Sequence, residues 1–328
     1  LKSALRRLGF VQADPIRCPA RAQDLILRHR VRGYRAGDLE RRYPQLDIEE
    51  DVLYAYGFAS RDLWQWLHAR NTTRMSALER RVLAAVEEAG EAHPRQLDER
   101  FGGKRVVNAW GGWSRETKQT LEALHRRGLL RVARRDKGVR VYALAPEPPV
   151  IDLKARFRNV LMTTARVMAP VLESSVARML APVRRRRGLN ARAAKTILDE
   201  LVASGELERI DVGHARYLMP APASTASQPP RVVRFLAPFD PVVWDRDRFE
   251  RLWGWPYRFE AYTPRAKRVR GYYAMPMLWG DDVIGWANVD NTGDELDVQL
   301  GFCNGRPAGK PFARELEAEI ERLRAFLR

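Results

Sequence analysis

Two side chains near the start of the chain are spaced to do chemistry. The stretch LGFVQADPIRCPARAQD, residues 8–24, runs from the apolar Leu8–Val11 into Gln12, Ala13 and Asp14, and Pro15 follows at once. Residues two apart on an extended segment point to the same side, so the Gln12 amide and the Asp14 carboxylate can reach one point in space. Pro15 has no N–H and biases Asp14 toward extended backbone, which holds the pair. A glutamine side chain donates and accepts hydrogen bonds, and a carboxylate accepts them or takes a proton. That combination suits holding a polar reactant. It equally suits an Asp-Pro turn with an amide nearby, and the spacing alone leaves both readings open.

A second group of carboxylates lies in FDPVVWDRDRFERLWGW, residues 239–255, which holds Asp240, Asp245 and Asp247. Asp240 precedes a proline as turn residues do, and Asp245 sits beside Arg246 and Arg248, so turn formation and ion pairing are the plain explanation. Two-metal chemistry needs a carboxylate cluster that this spacing does not establish. The two cysteines, Cys18 and Cys303, are far apart, and the five histidines are scattered without a CxxC. No metal, cofactor or disulfide framework is expected, and a reducing, cytoplasmic compartment is.

The chain of 328 residues carries 58 Lys and Arg against 41 Asp and Glu, a net charge of +17. That is too basic for an ordinary metabolic enzyme and predicts a polyanionic partner, of which nucleic acid is the usual one. The preference for Arg over Lys also fits codon bias. The longest apolar run, residues 159–172, is interrupted by Thr163, Thr164 and Arg166, short of the roughly 18–20 residues of a membrane span. The chain opens on Leu1, not Met, so a start inside a longer gene product is expected.

The elements that would position such a site read as an α+β chain of repeated units. Residues 74–150 open with SALERRVLAAVEEAG, where Leu78, Val82, Leu83 and Val86 fall at helical spacing. HPRQLDERFG gives a second helix from Pro94 to the glycines at 102 and 103. SRETKQTLEALHRRG gives a third, with Ser114 as its expected N-cap and Gly128 as its stop. Alternating residues on both sides of Asp136-Lys137-Gly138 predict a hairpin. Three helices followed by a basic two-stranded ribbon is the winged-helix order. Residues 151–220 repeat it, with Asn190 as a helix cap and a hairpin around Gly213, and residues 1–73 read as a third copy that lacks its first helices. PAPASTASQPP, residues 220–230, is a linker by composition. The rest, residues 221–328, is rich in aromatic and β-branched residues. It reads as a mainly β domain that includes RVVRFLAPFDPVVWD and closes with a helix.

Basic residues on these elements are the expected contacts to double-stranded DNA. They are Arg17 and Arg21 beside the Gln12 segment, Arg115 and Lys118 on the third helix, and Arg134 and Arg135 on the ribbon. Arg184, Arg185, Arg186 and Arg187 form a run whose alternative reading is a solvated loop. Arg265, Lys267 and Arg268 lie at an expected β turn before Tyr272 and Tyr273. There a basic hairpin can probe a groove or simply guard a sheet edge.

Three stretches together resemble the AlkZ/YcaQ family of bacterial helix–turn–helix DNA glycosylases. They are VQADPIRCPARAQD, YGFASRDLWQWLHAR, and above all residues 236–289 from LAPFDPVVWD to VIGWANV. The resemblance covers nearly the whole chain. It implies tandem winged-helix units around a DNA cleft and the release of alkylated bases, including N7-alkylguanines and interstrand crosslinks. One branch of that family carries glutamine, an apolar residue and glutamine; the other carries glutamine, any residue and aspartate. Gln12-Ala13-Asp14 fits the second, YcaQ-type branch. By that resemblance Asp14 stabilises the developing oxocarbenium sugar and directs the attacking water, and Gln12 fixes the water or the sugar. Nothing singles out a lysine nucleophile, so a monofunctional reaction leaving an abasic site is expected. The further expectations are a monomer, associated with the bacterial nucleoid and no membrane. The competing reading is a non-catalytic winged-helix DNA-binding protein or transcriptional regulator.

Overall fold

The computed structural model describes residues 1–69, 74–107, 111–186, 188–221, 228–291, 293 and 295–328, and they form an α+β architecture of helices and antiparallel sheets. The first stretch contains α1 (Lys2–Leu8), β1 (Phe10–Gln12), α2 (Ala22–Leu27), α3 (Asp38–Arg42), β2 (Ile48–Val52), β3 (Tyr56–Ser60) and α4 (Arg61–Leu67). Its sheet has the order β1-β3-β2, with Gln12 opposite Gly57. Ser60 ends β3 and caps α4 by accepting the Leu63 N–H at 3.2 Å.

Next come α5 (Ala77–Ala89), β4 (Glu91–Ala92), α6 (Pro94–Phe101), β5 (Arg105–Val107), β6 (Trp113–Arg115), α7 (Glu116–Arg126), β7 (Leu130–Asp136) and β8 (Val139–Leu144). Ser76 and Glu79 form a reciprocal capping box at the start of α5. The β7–β8 turn is tight because Lys137 (φ 47°) and Gly138 (φ 86°) both take left-handed backbone. The expected cap at Ser114 is not there. Pairing with β5 draws Ser114 into β6 opposite Val106, so α7 begins after Arg115 without a side-chain cap. The Ser114 hydroxyl instead accepts from the Gln119 amide at 2.9 Å.

The pattern of three helices and a hairpin recurs in α8 (Leu153–Met168), β9 (Val171–Leu172), α9 (Glu173–Arg186), α10 (Ala191–Ala203), β10 (Leu207–Val212) and β11 (Ala215–Pro220). Asp152 and Asn190 cap α8 and α10 by accepting backbone N–H groups at 2.9 and 2.8 Å. In both stretches a short strand pairs with the hairpin, giving the orders β4-β8-β7 and β10-β11-β9. Most of the linker expected at residues 220–230 lies outside the described residues.

The last stretch holds β12 (Val233–Phe235), α11 (Pro241–Trp244), α12 (Arg246–Trp253), β13 (Met275–Trp279), β14 (Asp282–Asn291), β15 (Leu296–Phe302) and α13 (Lys310–Leu327). The four strands form a meander in chain order. Two expectations are corrected here. RVVRFLAPFDPVVWD is strand only over Val233–Phe235; Asp240 then caps α11 by accepting the Val242 N–H at 3.0 Å, with Pro241 in the first turn where a missing N–H costs nothing. The basic stretch around Arg265–Lys267 is a single 3-10 turn within a loop, not part of a β hairpin. The carboxylate of Glu260 shapes that loop, accepting the N–H groups of Val269, Arg270 and Gly271 at 2.8–3.1 Å.

Two large cores meet at β1. One joins Val11, Leu25 and Phe58 to Val86, Leu121 and Val132, and onward to Phe235, Met275 and Leu323 of the last stretch. The other joins Phe10, Trp64 and Leu67 to Leu161, Leu180 and Leu218. Successive residues of a strand face opposite sides, so Phe10 and Val11 anchor β1 in both cores, immediately before Gln12. Helix α13 returns to the beginning of the chain. Arg28 pairs with the buried Glu319 at 2.5 Å, and the Ala36 N–H donates to the Phe326 carbonyl at 2.9 Å. No helix of the described residues is long and apolar enough to cross a membrane.

Candidate active site

Gln12 ends β1, and Asp14 follows in the connection to α2. The Gln12 Oε1 accepts a 2.7 Å hydrogen bond from the indole Nε1–H of Trp244, 232 residues away. The Ala13 N–H donates to the Tyr56 carbonyl at 2.9 Å, which carries the pairing with β3 one residue past the strand. Asp14 Oδ1 accepts the Ile16 N–H at 2.9 Å, an Asx turn closed over Pro15. The turn reading of this segment holds, and the turn fixes one carboxylate oxygen.

Burial pushes the Asp14 carboxyl above the usual aspartate range, and the Ile16 N–H works against that shift without cancelling it. Asp14 lines a cavity of about 310 Å³ together with Arg21, Gln23, Tyr56, Arg135 and Arg140. The buried Gln23 receives the Asp14 N–H at 3.4 Å. The positive wall belongs to the β7–β8 hairpin and is held by Glu50 of β2, whose side chain is 1% exposed. Glu50 takes both Nε and Nη2 of Arg135, at 2.7 and 2.6 Å, and accepts the Tyr56 hydroxyl. Arg140 lies 3.4 Å from the same carboxylate and 4.5 Å above the Tyr56 ring. Burial first, then the charges of Arg17 and Arg135, lower the Arg21 pKa, so three guanidinium groups crowd this end of the cavity.

A residue of the last stretch lies near Asp14 without lining this cavity. Tyr273 is buried, and its hydroxyl has no hydrogen-bond partner among the described residues. Burial, followed by the Asp14 charge, raises its pKa well above the ordinary value, which places the phenol within electrostatic reach of Asp14. Sequence reasoning does not single out Trp244, and it names Tyr273 only as an aromatic beside a basic turn, not as a neighbour of Asp14. The aromatic-rich blocks around them are visible there, but the partners across the fold are not.

The carboxylates of residues 239–255 face arginines, although neither buried oxygen of Asp245 has a hydrogen-bond partner among the described residues. Asp240 is buried and takes a bidentate pair from Arg30 at 2.7 and 2.9 Å. Asp247 and Asp245 face Arg178 at 3.3 and 3.7 Å. Among the described residues no three His, Cys, Asp or Glu side chains converge as metal ligands.

The basic residues divide into committed and open ones. Arg21 pairs with Glu40, Arg134 with Glu91 at 2.9 Å, and Arg135 with Glu50. Arg115 donates to the Gly103 carbonyl, Arg184 to the Leu189 carbonyl at 2.9 Å, and Arg268 to the Thr263 carbonyl at 2.8 Å while covering Tyr272. Arg17, Lys118, Arg185, Arg265 and Lys267 are exposed, and none forms an ion pair with another described residue. Arg184, Arg185 and Arg186 form the last turn of α9, not a loop, where positive charge also suits the helix dipole. The Arg186 side chain and Arg187 lie outside the described residues.

A protein-family model described as DNA glycosylase AlkZ-like matches residues 5–326, a span that takes in Gln12, Trp244, Tyr273 and every residue that lines the Asp14 cavity. The chain belongs to the AlkZ-like DNA glycosylase family.

Proposed function

We propose that the protein hydrolyses the N-glycosidic bond of N7-alkylguanine-type lesions in duplex DNA, interstrand crosslinks included, with Asp14 and Gln12 as the catalytic pair. The observation that carries this reading is the Asp14 carboxylate: half-buried, with Oδ1 fixed by the Ile16 N–H and the side chain lining a cavity walled by guanidinium groups.

An N7-alkylated guanine is already cationic, so it leaves without being protonated. The C1′–N9 bond breaks, its electron pair goes to the purine, and positive charge develops on the sugar. A fixed carboxylate stabilises that charge more than it would in water. Water then forms the new bond to C1′ and passes its proton to Asp14. A raised carboxyl pKa favours this transfer, because the base lies nearer the working pH. No lysine nucleophile is invoked, so the product is an abasic site. A base tied to the opposite strand cannot swing into a closed pocket, and the Asp14 cavity is not an enclosed one.

The two units of three helices and a hairpin, over residues 74–150 and 151–220, are proposed as winged-helix modules that grip the duplex. The exposed Arg17, Lys118, Arg185, Arg265 and Lys267 would contribute phosphate contacts as the chain acts as a monomer. The test is base release from a duplex carrying N7-methylguanine or a nitrogen-mustard crosslink, read as strand breakage under alkali. Breakage is expected with wild type and not with Asp14→Asn, while both bind the duplex. Full breakage by Asp14→Asn removes Asp14 from the mechanism. Tight binding without breakage by either protein favours a non-catalytic DNA-binding role.

A further inference from the structure

An indole nitrogen is a donor only, so the 2.7 Å bond between Trp244 and Gln12 fixes which end of the Gln12 amide faces which way. The oxygen is committed to Trp244. The two N–H groups are left for whatever occupies the site. We propose that Trp244 is a positioning residue for base excision: its indole N–H locks the Gln12 amide so that the NH₂ group, and not the oxygen, is presented to the reaction. This rests on the reading of Gln12 and Asp14 as the catalytic pair.

The arrangement around Trp244 is built to hold that orientation. Trp244 ends α11, whose cap Asp240 is itself clamped by two hydrogen bonds from Arg30. The Trp244 ring meets Tyr54 edge-on at 4.7 Å, and Tyr54 meets Phe10 at 5.0 Å, two residues before Gln12. The indole is thus braced toward β1 by rings, and its helix is tied by an ion pair to Arg30, three residues past α2. Chemically, the lock removes an ambiguity. An amide free to flip would also offer its oxygen, a partial negative end that would raise the pKa of a carboxyl brought close to it. A donor there does the reverse. It also holds a water by one lone pair while Asp14 takes the proton, which leaves the other lone pair for C1′.

The experiment is a double-mutant cycle on single-turnover release of N7-methylguanine, with duplex affinity and pH profile measured on each protein. Trp244→Phe keeps a ring for Tyr54 and removes the N–H. It is expected to slow release about ten-fold, the scale of one lost hydrogen bond, with duplex affinity changed less than about two-fold. The acid limb of its profile should move to higher pH. In a Gln12→Ala background the same change should have no further effect. A full additional loss in that background, or a wild-type rate and profile for Trp244→Phe, overturns the proposal. Gln12→Glu keeps the acceptor for the indole and loses the NH₂ group, so it should be as slow as Gln12→Ala; a fast Gln12→Glu also overturns it and does not depend on how Trp244→Phe folds. Wild-type release by Gln12→Ala is a separate outcome: it refutes the catalytic pair itself.

Discussion

Gly57 faces Gln12 across the β1–β3 ladder, and a methyl group there has nowhere to go. A Cβ on Gly57 would lie 2.3 Å from the Val11 carbonyl oxygen, 2.6 Å from the Phe10 ring and 2.9 Å from the Gln12 Cα. The backbone of Gly57 is ordinary extended strand, so alanine meets no conformational penalty and only the space is lacking. Ordinary contact begins near 3.4 Å, so β1 would have to recede by about 1 Å at the residue that precedes Gln12. Overpacking of this kind costs roughly 1–3 kcal/mol of stability. The effect on chemistry should be larger, since a displacement of about 1 Å can reduce a rate about 100-fold. Gly57→Ala is therefore expected to remain folded, bind duplex DNA, and release N7-methylguanine about 100-fold more slowly in single turnover. Gly301→Ala is the control. Its Cβ would strike the Trp286 ring at 2.2 Å, a comparable clash in the β14–β15 pair away from the Asp14 cavity, so it should lose stability and keep a rate within about three-fold of wild type. A folded Gly57→Ala with a wild-type rate refutes the idea that the placement of β1 sets the catalytic geometry. Equal losses in both variants reduce the effect to general destabilisation.

Three other outcomes follow from the same geometry. The folded Asp14 pKa lies above its unfolded value, so its contribution favours the fold at low pH and is lost as pH rises through the folded pKa; Asp14→Asn should melt at or above the wild-type temperature at pH 7.5, with the difference shrinking at pH 4, and the acid limb of wild-type excision should lie above 3.8, the ordinary value. Glu50→Ala strips the buried partner from Arg135 and should cost about 3 kcal/mol, with faster amide exchange in β7 and β8; unchanged exchange would mean the hairpin is held by its apolar contacts alone. Arg185→Ala should lower the slope of log affinity against log salt by about one, and Arg184→Ala, whose guanidinium is already bonded to Leu189, by less; equal slopes for Arg185→Ala and wild type would return that turn to a helix-dipole role.

Local features were the legible ones. Asn190 and the Asp136-Lys137-Gly138 turn each satisfy backbone groups within a few residues, so their composition announces them. The same reasoning misplaced the start of α7 at Ser114, because the β5–β6 pairing that claims this residue closes across residues 105–115. Asp240 before Pro241 has the composition of a turn, yet Val242, Val243 and Trp244 after it have that of a strand and form the helix α11. The candidate site was visible in its chemistry and invisible in its support. Gln12 and Asp14 stand out by spacing, but nothing in either segment says that Trp244 donates to Gln12 or that Glu50 reaches Arg135. Charge has the same limit: the sequence shows many arginines, and only the fold shows that Arg21, Arg134 and Arg135 already have partners.

The bond between Gln12 and Trp244 also orders events in time. Synthesis runs from the amino end at roughly 5–20 residues per second, so Trp244 follows Gln12 off the ribosome by on the order of tens of seconds. Helix α13, which ties back to Arg28 and Ala36, is later still. Throughout that interval the nascent polypeptide has its carboxylate and its arginines but lacks the indole that orients the amide. A chain abandoned before Trp244 would carry Gln12 and Asp14 without the indole bonded to Gln12 and without the Met275 and Leu323 part of the core around Val11, so an interrupted translation event would yield a poor enzyme.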